Sequence, residues 1–288
     1  MRALVIGGSG FLGSHLCDQL TINGYEVTIF DKQNSKWKSD SQKMIIGDIS
    51  DINLVNSALK KTDYVYNFAG ISDLDAAMDL PEETVEQNIF NLVKILKCCL
   101  NKKIKRFIQA STFYVDSNKG GFYKCSKLAA ENYLIEFNKR YKLNYNILRF
   151  GTLYGPRSNF ENGVYSILKK AIKEKKITYY GNKDSLREYI HVVDAARQSS
   201  QILSEKYKNT TFMISGTHQY TIQNFLKLIS EILSIKKISI KKPKYEGHYS
   251  LTPYKMMNNY SYKINLDKNI ELGQGILNLA KEIKNEEK

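Results

Sequence analysis

Hydrophobic positions in the first half of the chain fall into short apolar runs, and amphipathic stretches separate these runs. The apolar runs include ALVIGG, YEVTIFD, DYVYNFAG, RFIQAST and YNILRFG, and stretches such as GFLGSHLCDQLTING and YKCSKLAAENYLIEFNKRY have helical spacing. Short buried strands that alternate with helices are typical of a parallel sheet covered on both faces. The helices that connect parallel strands make right-handed crossovers. The pattern therefore predicts an α/β fold with a doubly wound parallel sheet.

The pattern changes after LYGPRSN, where the elements become shorter. It predicts a helix at GVYSILKKAIKEKK, a strand at ITYYG and a helix at TIQNFLKLISEIL, and Pro243 and Pro253 indicate loops in the basic late section. We therefore predict a Rossmann domain over residues 1–152 and a smaller C-terminal α/β substrate-binding region over residues 153–288. Segments near 181–205 are expected to pack back on the Rossmann domain.

Composition narrows the class of protein. With 42% hydrophobic residues the 288-residue chain can bury a sizeable core. No apolar run reaches the length of a membrane span, and the first apolar run is broken by glycines and lacks a cleavage site. The four cysteines have no metal-ligand spacing, so we expect no metal site and a reduced, cytoplasmic protein.

The chain is strongly basic. Its 43 Lys and Arg against 29 Asp and Glu give a formal net charge of +14, which fits nucleic acid, an anionic membrane surface or a phosphate-bearing substrate. The lysines are spread along the chain, and no Arg/aromatic motif of an RNA-binding sheet occurs. A solvated Lys-rich surface is therefore favoured over a nucleic-acid partner, and an anionic small substrate fits well.

The segment LVIGGSGFLGSHL contains a glycine-rich turn between a strand and a helix. Gly7, Gly10 and Gly13 recur at every third position, with Gly8 also in register, and Phe11 and Leu12 open the helix. Such a turn lets the backbone approach a pyrophosphate closely at a helix N-terminus. Asp31 ends the next strand, at the distance where an acid hydrogen-bonds a ribose hydroxyl and repels a 2′-phosphate. The sequence therefore predicts NAD in preference to NADP, with a structural turn as the alternative.

The stretch YKCSK sets Tyr123 and Lys127 one helical turn apart, after two glycines. A lone Y-x-x-x-K can equally be the start of an amphipathic helix. In a catalytic role, the neighbouring ammonium and a positive nicotinamide ring favour the phenolate and lower the Tyr123 pKa toward the working range. Ser111 and Thr112 end the strand RFIQAST, and either hydroxyl can serve the site, with Thr112 favoured by its register.

Several further motifs occur in a fixed order. They are GDIS at 47–50, NFAG at 67–70, Asn88, QAST at 109–112, LRFGTLYGPR at 148–157 and REYIHVVDAA at 187–196. Together with the glycine turn and YKCSK, they resemble the extended short-chain dehydrogenase/reductases of the nucleotide-sugar epimerase and dehydratase family, and in particular its UDP-glucose 4-epimerase-like members. The resemblance runs nearly end to end.

The resemblance implies positions for the cofactor. Asp48 and Ile49 are expected beside the adenine, and Phe150 near the nicotinamide. The inner ribose is expected to be lined by Phe68, Ala69 and Gly70, and Ser111 completes the cofactor set. The alternative interpretations are a turn residue for Asp48, a buried strand end for the FAG run and a core residue for Phe150.

The resemblance also implies a reaction. Tyr123 removes a proton from a sugar hydroxyl as the carbon gives hydride to NAD, Lys127 holds the nicotinamide ribose, and Thr112 hydrogen-bonds the same hydroxyl. Dehydratases of the family place acids directly after the Ser/Thr, whereas this chain has Phe113 and Tyr114, which disfavours dehydration. The loop between Thr112 and Tyr123 is also shorter than is common, so a more open site is expected.

At the substrate end, the resemblance implies that Arg187 contacts a nucleotide diphosphate, with a surface salt bridge as the alternative. Thr152 departs from an Asn often found there, and His191 is expected to support the fold.

The predicted function is an NAD-dependent nucleotide-sugar 4-epimerase. The rivals are a C4 dehydrogenase or ketoreductase and a non-catalytic NAD-binding protein. A homodimer is expected through helices near 85–100 and 124–140.

Overall fold

A computed structural model describes residues 1–242, 247–248, 261–264 and 268–286 of the chain. Pro243 and Pro253, where loops are predicted, lie outside the described residues. In the part of the chain that the structure describes, no helix combines the length and apolar character that crossing a bilayer requires.

An eight-stranded parallel sheet forms the centre of the molecule. The strands of the chain are β1 (Arg2–Ile6), β2 (Glu26–Asp31), β3 (Lys43–Ile46), β4 (Tyr64–Asn67), β5 (Arg106–Thr112), β6 (Tyr145–Phe150), β7 (Thr152–Tyr154), β8 (Ile177–Tyr180), β9 (Leu186–His191), β10 (Thr210–Ile214), β11 (Gln219–Thr221), β12 (Ile238–Lys241) and β13 (Ser261–Lys263). The large sheet has the order β13-β10-β6-β5-β4-β1-β2-β3, and all its neighbours pair in parallel. The predicted doubly wound parallel sheet is confirmed.

Helices cover both faces of this sheet. The described residues form the helices α1 (Phe11–Ile22), α2 (Ile52–Ala58), α3 (Leu74–Asp79), α4 (Pro81–Val85), α5 (Asn91–Leu100), α6 (Gly121–Tyr141), α7 (Gly163–Glu174), α8 (Val192–Gln201), α9 (Ile222–Leu233) and α10 (Leu272–Glu286). Apolar residues of α1 and α8 pack on one face, and those of α2, α5 and α6 pack on the other. Burial of these two stripes, whose residues recur at helical spacing, is the main driving force for the fold.

The C-terminal part contributes to the large sheet and also builds a layer of its own. Strands β10 and β13 extend the sheet beyond β6, although residue 152 is the predicted domain boundary. The remaining strands form two small sheets, β11-β9-β7 and β12-β8, which share a third apolar core with α7, α9 and α10. The segment near 181–205 links the two parts, since β9 belongs to a small sheet while α8 packs against α1.

Candidate active site

The candidate cofactor residues meet at one edge of the large sheet. Strands β6, β5, β4, β1, β2 and β3 are consecutive neighbours, and each ends at or just before a predicted residue. In parallel strands the carboxyl ends share one edge, which is where open α/β sheets bind ligands. The residues brought together there are Phe150, Ser111, Thr112, Phe68, Ala69, Gly70, Gly7, Gly10, Phe11, Leu12, Gly13, Asp31, Asp48 and Ile49.

The glycine turn is packed too tightly for side chains. Gly7 has φ +82°, and a Cβ there would lie 2.6 Å from the backbone nitrogen of Ala69. A Cβ at Gly13 would lie 2.1 Å from the Gly7 carbonyl oxygen. Gly10 precedes α1 without a side chain to cap it, so the first N–H groups of the helix face outward for an anion. This cradle fits a dinucleotide pyrophosphate.

Asp31 lies beside the glycine turn, at the end of β2. Its carboxylate accepts hydrogen bonds of 3.0 Å from the backbone N–H groups of Ser9 and Gln33. Its position at the strand end next to β1 agrees with the side expected for an adenine ribose. A fixed carboxylate there would accept from ribose hydroxyls and repel a 2′-phosphate, which fits NAD.

The adenine and nicotinamide ends of the edge differ in character. Asp48 accepts a 2.8 Å hydrogen bond from the Ser50 backbone N–H, and this bond lowers the Asp48 pKa. Ile49 and Phe150 are buried in the two cores, and the rings of Phe68 and Phe150 meet edge to face at 5.8 Å. The structure shows that Ile49 and Phe150 belong to the core. The cofactor contacts expected of the residues at these two ends stay predictions.

The Thr112, Tyr123 and Lys127 side chains come together between β5 and the first turns of α6. The Thr112 side chain lies near the Tyr123 phenol, and the Lys127 nitrogen lies 5.8 Å from the centre of the Tyr123 ring. Burial raises the Tyr123 pKa to about 12; the nearby Thr112 side chain opposes this, while Asp73 raises it further. Burial also lowers the Lys127 pKa to about 8, against the attraction of Glu131.

The lowered pKa expected for Tyr123 depends on two positive charges, the Lys127 ammonium and a nicotinamide ring. In the protein alone, burial of the phenol dominates and raises its pKa. The physical reason is that a phenolate loses more hydration on burial than its neighbours return. A lowered Tyr123 pKa therefore requires a further positive charge beside the ring.

The two candidate hydroxyls have different partners. Ser111 is buried and donates a 2.5 Å hydrogen bond to the Glu131 carboxylate, whereas Thr112 contacts Tyr123. Thr112 also accepts a 3.3 Å hydrogen bond from the Tyr114 backbone N–H, at the start of a 3₁₀ turn over Phe113–Asp116. Thr112 is therefore the better placed of the two for a substrate hydroxyl at Tyr123.

Tyr114 lies against Tyr123. Its ring meets the Tyr123 ring edge to face at 6.2 Å, and its hydroxyl is 2.7 Å from Nδ1 of His248. Burial lowers the His248 pKa, with Arg187 adding to this and Asp75 and Asp73 opposing it. Tyr114 stands where dehydratases of the family are expected to carry an acid, and it links β5 to a residue of the C-terminal part.

A π-helical turn over Glu86–Phe90 interrupts the helix expected near 85–100. Within it, the Asn88 amide accepts 2.9 Å from the Ile71 N–H and donates 3.0 Å to the Ile71 carbonyl and 2.9 Å to Ser126 Oγ. The wider turn thus places Asn88 between the loop after β4 and α6. Such turns occur frequently at functional sites.

The candidate substrate residues lie on the small sheet instead of the large one. Thr152 in β7 pairs with Tyr189 in β9, two positions after Arg187. Arg187 is buried, and its guanidinium donates 2.8 Å to the Leu186 carbonyl oxygen. Burial makes a plain surface salt bridge a poor description of Arg187, although its predicted diphosphate contact stays a prediction.

His191 supports the start of α8. Its Nδ1 accepts a 3.3 Å hydrogen bond from the Val193 N–H, and burial lowers its pKa to about 4. A neutral imidazole that caps a helix agrees with the expected structural role.

Sequence reasoning missed several residues of the site. Ser9 contacts Asp31 only through its backbone, so its residue type carries no signal. Glu131 and Arg149 form ion pairs across α6 and β6, and the single available clue was that Glu131 follows Lys127 by one turn. His248 lies in a basic stretch without periodicity, from which no pattern indicates it.

The glycine cradle, the fixed Asp31 and the Tyr–Lys helix define an NAD-dependent enzyme with a Rossmann fold. Residues 3–215 match the family model described as "NAD dependent epimerase/dehydratase family". The chain belongs to this family, whose members are nucleotide-sugar epimerases and dehydratases, and NAD is its cofactor.

Relatives and solved structures agree with this class. The chain is 26% identical over 260 residues to the UDP-N-acetyl-alpha-D-glucosaminuronate decarboxylase of Bacillus cytotoxicus, covering 80% of each. It is similar to UDP-glucose 4-epimerase of Thermotoga maritima with UDP-glucose (24% identity, TM-score 0.85, 100% of both chains). It is also similar to UDP-glucuronic acid 4-epimerase of Bacillus cereus with UDP-glucuronic acid and NAD (23% identity, TM-score 0.86, 99% of both chains). At these identities the two structures establish the fold alone.

Proposed function

We propose that the protein is an NAD-dependent 4-epimerase of a nucleotide-diphosphate sugar. The observation that carries this proposal is the contact set of Thr112, Tyr123 and Lys127 at the sheet edge that also holds the glycine cradle. A hydroxyl, a phenol and an ammonium in that order suit reversible proton transfer from a sugar hydroxyl.

The proposed chemistry assigns one task to each side chain. Thr112 orients the C4 hydroxyl of the sugar, and Tyr123 takes its proton and later gives it back. Lys127 holds the nicotinamide ribose and keeps a positive charge near the phenol. NAD supplies a reversible two-electron oxidation at C4, and its positive ring beside Tyr123 would offset the burial that raises the Tyr123 pKa. Epimerisation follows when the keto-sugar rotates in the site, so that C4 is reduced on its opposite face.

The proposed substrate is a nucleotide-diphosphate sugar. Support comes from the buried guanidinium of Arg187, since a planar, permanent cation suits a diphosphate. The structural neighbours named above are complexes with UDP-sugars, and we extend that substrate class to this chain. Thr152, two positions from Arg187 across the β7–β9 register, is proposed to lie beside the same diphosphate.

Dehydration and decarboxylation also occur among the relatives, as their names state. We favour epimerisation because Phe113 and Tyr114 follow Thr112, and neither offers a carboxylic acid to protonate a leaving hydroxyl. The Tyr114 hydroxyl is engaged with His248.

We further propose a cytoplasmic homodimer. All four cysteines are free thiols, as expected in a reducing compartment. Large apolar side chains are exposed on α6 and the π-helical turn, among them Phe90, Phe122 and Tyr133. A second copy of the chain that packs on these two helices would cover them.

The test is a turnover assay on the purified chain. Denatured protein is expected to release bound NAD or NADH, and incubation with UDP-, GDP- and dTDP-sugars is expected to yield the C4 epimer of one of them without net NADH. Stoichiometric NADH with a keto-sugar would identify a C4 dehydrogenase. Strong retention on a polyanion resin at physiological salt, with no turnover of any sugar, would identify a non-catalytic binding protein.

A further inference from the structure

A buried carboxylate lies beneath the catalytic helix. Glu131 is 2% exposed and follows Lys127 by one turn on the same face of α6. Its Oε1 accepts 2.5 Å from Ser111 Oγ and 2.9 Å from Arg149 Nε, and its Oε2 accepts 2.7 Å from Arg149 Nη2. Both oxygens are therefore fixed, and a bidentate Arg pair of this kind is geometrically rigid.

The partners of Glu131 are the immediate neighbours of residues in the candidate site. Ser111 precedes Thr112 on β5, and Arg149 precedes Phe150 on β6. Ser111 and Arg149 are also paired with each other across the two strands. Through these contacts Glu131 connects the ends of two adjacent strands to the helix that carries Tyr123 and Lys127.

The charges of this cluster balance only when Lys127 is included. Arg149 also donates 2.7 Å to Asp116, so one guanidinium faces two carboxylates, those of Glu131 and Asp116. Lys127 is buried, and the attraction of Glu131 opposes the lowering of its pKa by burial. Two cations then match two anions. The other titratable groups nearby are the Tyr123 phenol, Tyr145, whose pKa is raised by burial and by the Glu131 charge, and Asp73, whose charge raises the Tyr123 pKa.

We propose that Glu131 is a positioning residue for the reaction: anchored by Ser111 and Arg149, its carboxylate stabilises the Lys127 ammonium one helical turn away and aligns Thr112 with Tyr123. It touches neither sugar nor cofactor and acts through its neighbours. This inference rests on the proposed function, because it assigns Lys127 the cationic role described there.

The first test needs no substrate. The pKa of the Lys127 amine is measured by trace acylation over a pH series, followed by peptide mass spectrometry, in the wild type and in variants. Glu131→Gln keeps the shape and removes the charge, and it is expected to lower the Lys127 pKa by about one unit, as for the loss of a near opposite charge. Glu131→Asp keeps the charge and is expected to restore most of that shift.

Asp116→Asn is the matched control, because it breaks the other ion pair of Arg149 and leaves Glu131 in place. It is expected to leave the Lys127 titration near that of the wild type. If Glu131→Gln fails to fold, the comparison of Glu131→Asp with Asp116→Asn decides. The shortened carboxylate lies farther from Lys127 and should lower its pKa by a small, measurable part of the Glu131→Gln shift, whereas Asp116→Asn should leave it unchanged. An unchanged Lys127 pKa in both Glu131 variants, or an equal shift in Asp116→Asn, would overturn the proposal.

The second test uses the UDP-, GDP- or dTDP-sugar that the wild type epimerises. Glu131→Gln is expected to lower kcat by about tenfold with KM unchanged, and to move the alkaline limb of the kcat profile to lower pH, because Lys127 then loses its proton earlier. Wild-type kcat and profile in this variant would contradict the role. Should no sugar be turned over by the wild type, the proposed function fails, while the acylation titration still decides on Glu131.

Discussion

The backbone N–H of Ser9 donates a 3.0 Å hydrogen bond to the Asp31 carboxylate. The glycine turn and the end of β2 are therefore joined through the same carboxylate that is expected to meet the adenine ribose. One oxygen is engaged with Ser9 and the other with the Gln33 N–H, which aligns the group and leaves its remaining lone pairs for a ligand.

We expect Asp31→Ala to weaken NAD binding and to narrow the discrimination against NADP. The ribose acceptor and the charge that repels a 2′-phosphate are lost together, so the NADP dissociation constant should change less than that of NAD. Titration of both cofactors by calorimetry measures the ratio. Asp40→Ala, on the exposed loop after β2, serves as the control. An equal loss of affinity for both cofactors would remove Asp31 from the ribose site.

The strand ends of the site could be predicted from the sequence, since each buried run is followed by a polar or glycine residue and parallel strands share one carboxyl edge. The choice between Ser111 and Thr112 could not be settled in this way. Both are hydroxyls at one strand end, and they differ only in long-range partners, Glu131 for one and Tyr123 for the other. Such contacts depend on packing between elements and leave no local pattern.

Two further features lay beyond sequence reasoning. The π-helical turn over Glu86–Phe90 inserts one extra residue into a helix whose apolar period looks continuous. A hydrogen bond from the Ile71 N–H, in the loop after β4, to the Asn88 side chain stabilises this turn. Strands β10 and β13 join the large sheet after long excursions, because the exposed edge of β6 can pair with any later strand. A domain boundary placed at residue 152, where the hydrophobic pattern changes, does not account for the pairing of β10 and β13 with the large sheet.

Arg187→Ala is expected to raise KM for the nucleotide sugar by a factor equivalent to about 1.5–3 kcal/mol, the range for a charged hydrogen bond. NAD binding should be retained, because Arg187 lies on the small sheet and not among the strand ends of the cofactor site. Steady-state kinetics gives KM, and Arg197→Ala, a half-exposed arginine on α8, is the matched control. An unchanged KM in the Arg187 variant would exclude this residue from the substrate site.

The contact between Tyr114 and His248 is testable by a double-mutant cycle. Tyr114→Phe keeps the ring against Tyr123 and removes the hydroxyl, and His248→Ala removes its partner. Each single variant is expected to raise KM for the sugar by about fivefold, the equivalent of one hydrogen bond of about 1 kcal/mol. The double variant should be no worse than either single variant, because the same bond is lost. Additive effects would show that the two residues act independently.

Tyr123→Phe keeps the ring, its packing against Tyr114 and its place on α6, and removes the phenol oxygen near Thr112. Loss of this oxygen should change the free energy of unfolding by no more than about 1.5 kcal/mol, the upper range for one hydrogen bond, and NAD should still bind. Turnover is expected to fall by about 10²–10⁴, the usual contribution of a positioned acid–base group. Thermal melts, cofactor titration and single-sugar kinetics measure the three quantities separately.

The control for this variant is Tyr141→Phe, which removes the phenol of a half-exposed tyrosine at the far end of the same helix. It should leave turnover at the wild-type level, so that any loss in Tyr123→Phe is attributed to the position and not to the residue type. Loss of turnover together with loss of NAD binding would indicate that Tyr123 supports the cofactor pocket only. Full activity in Tyr123→Phe would refute the acid–base assignment.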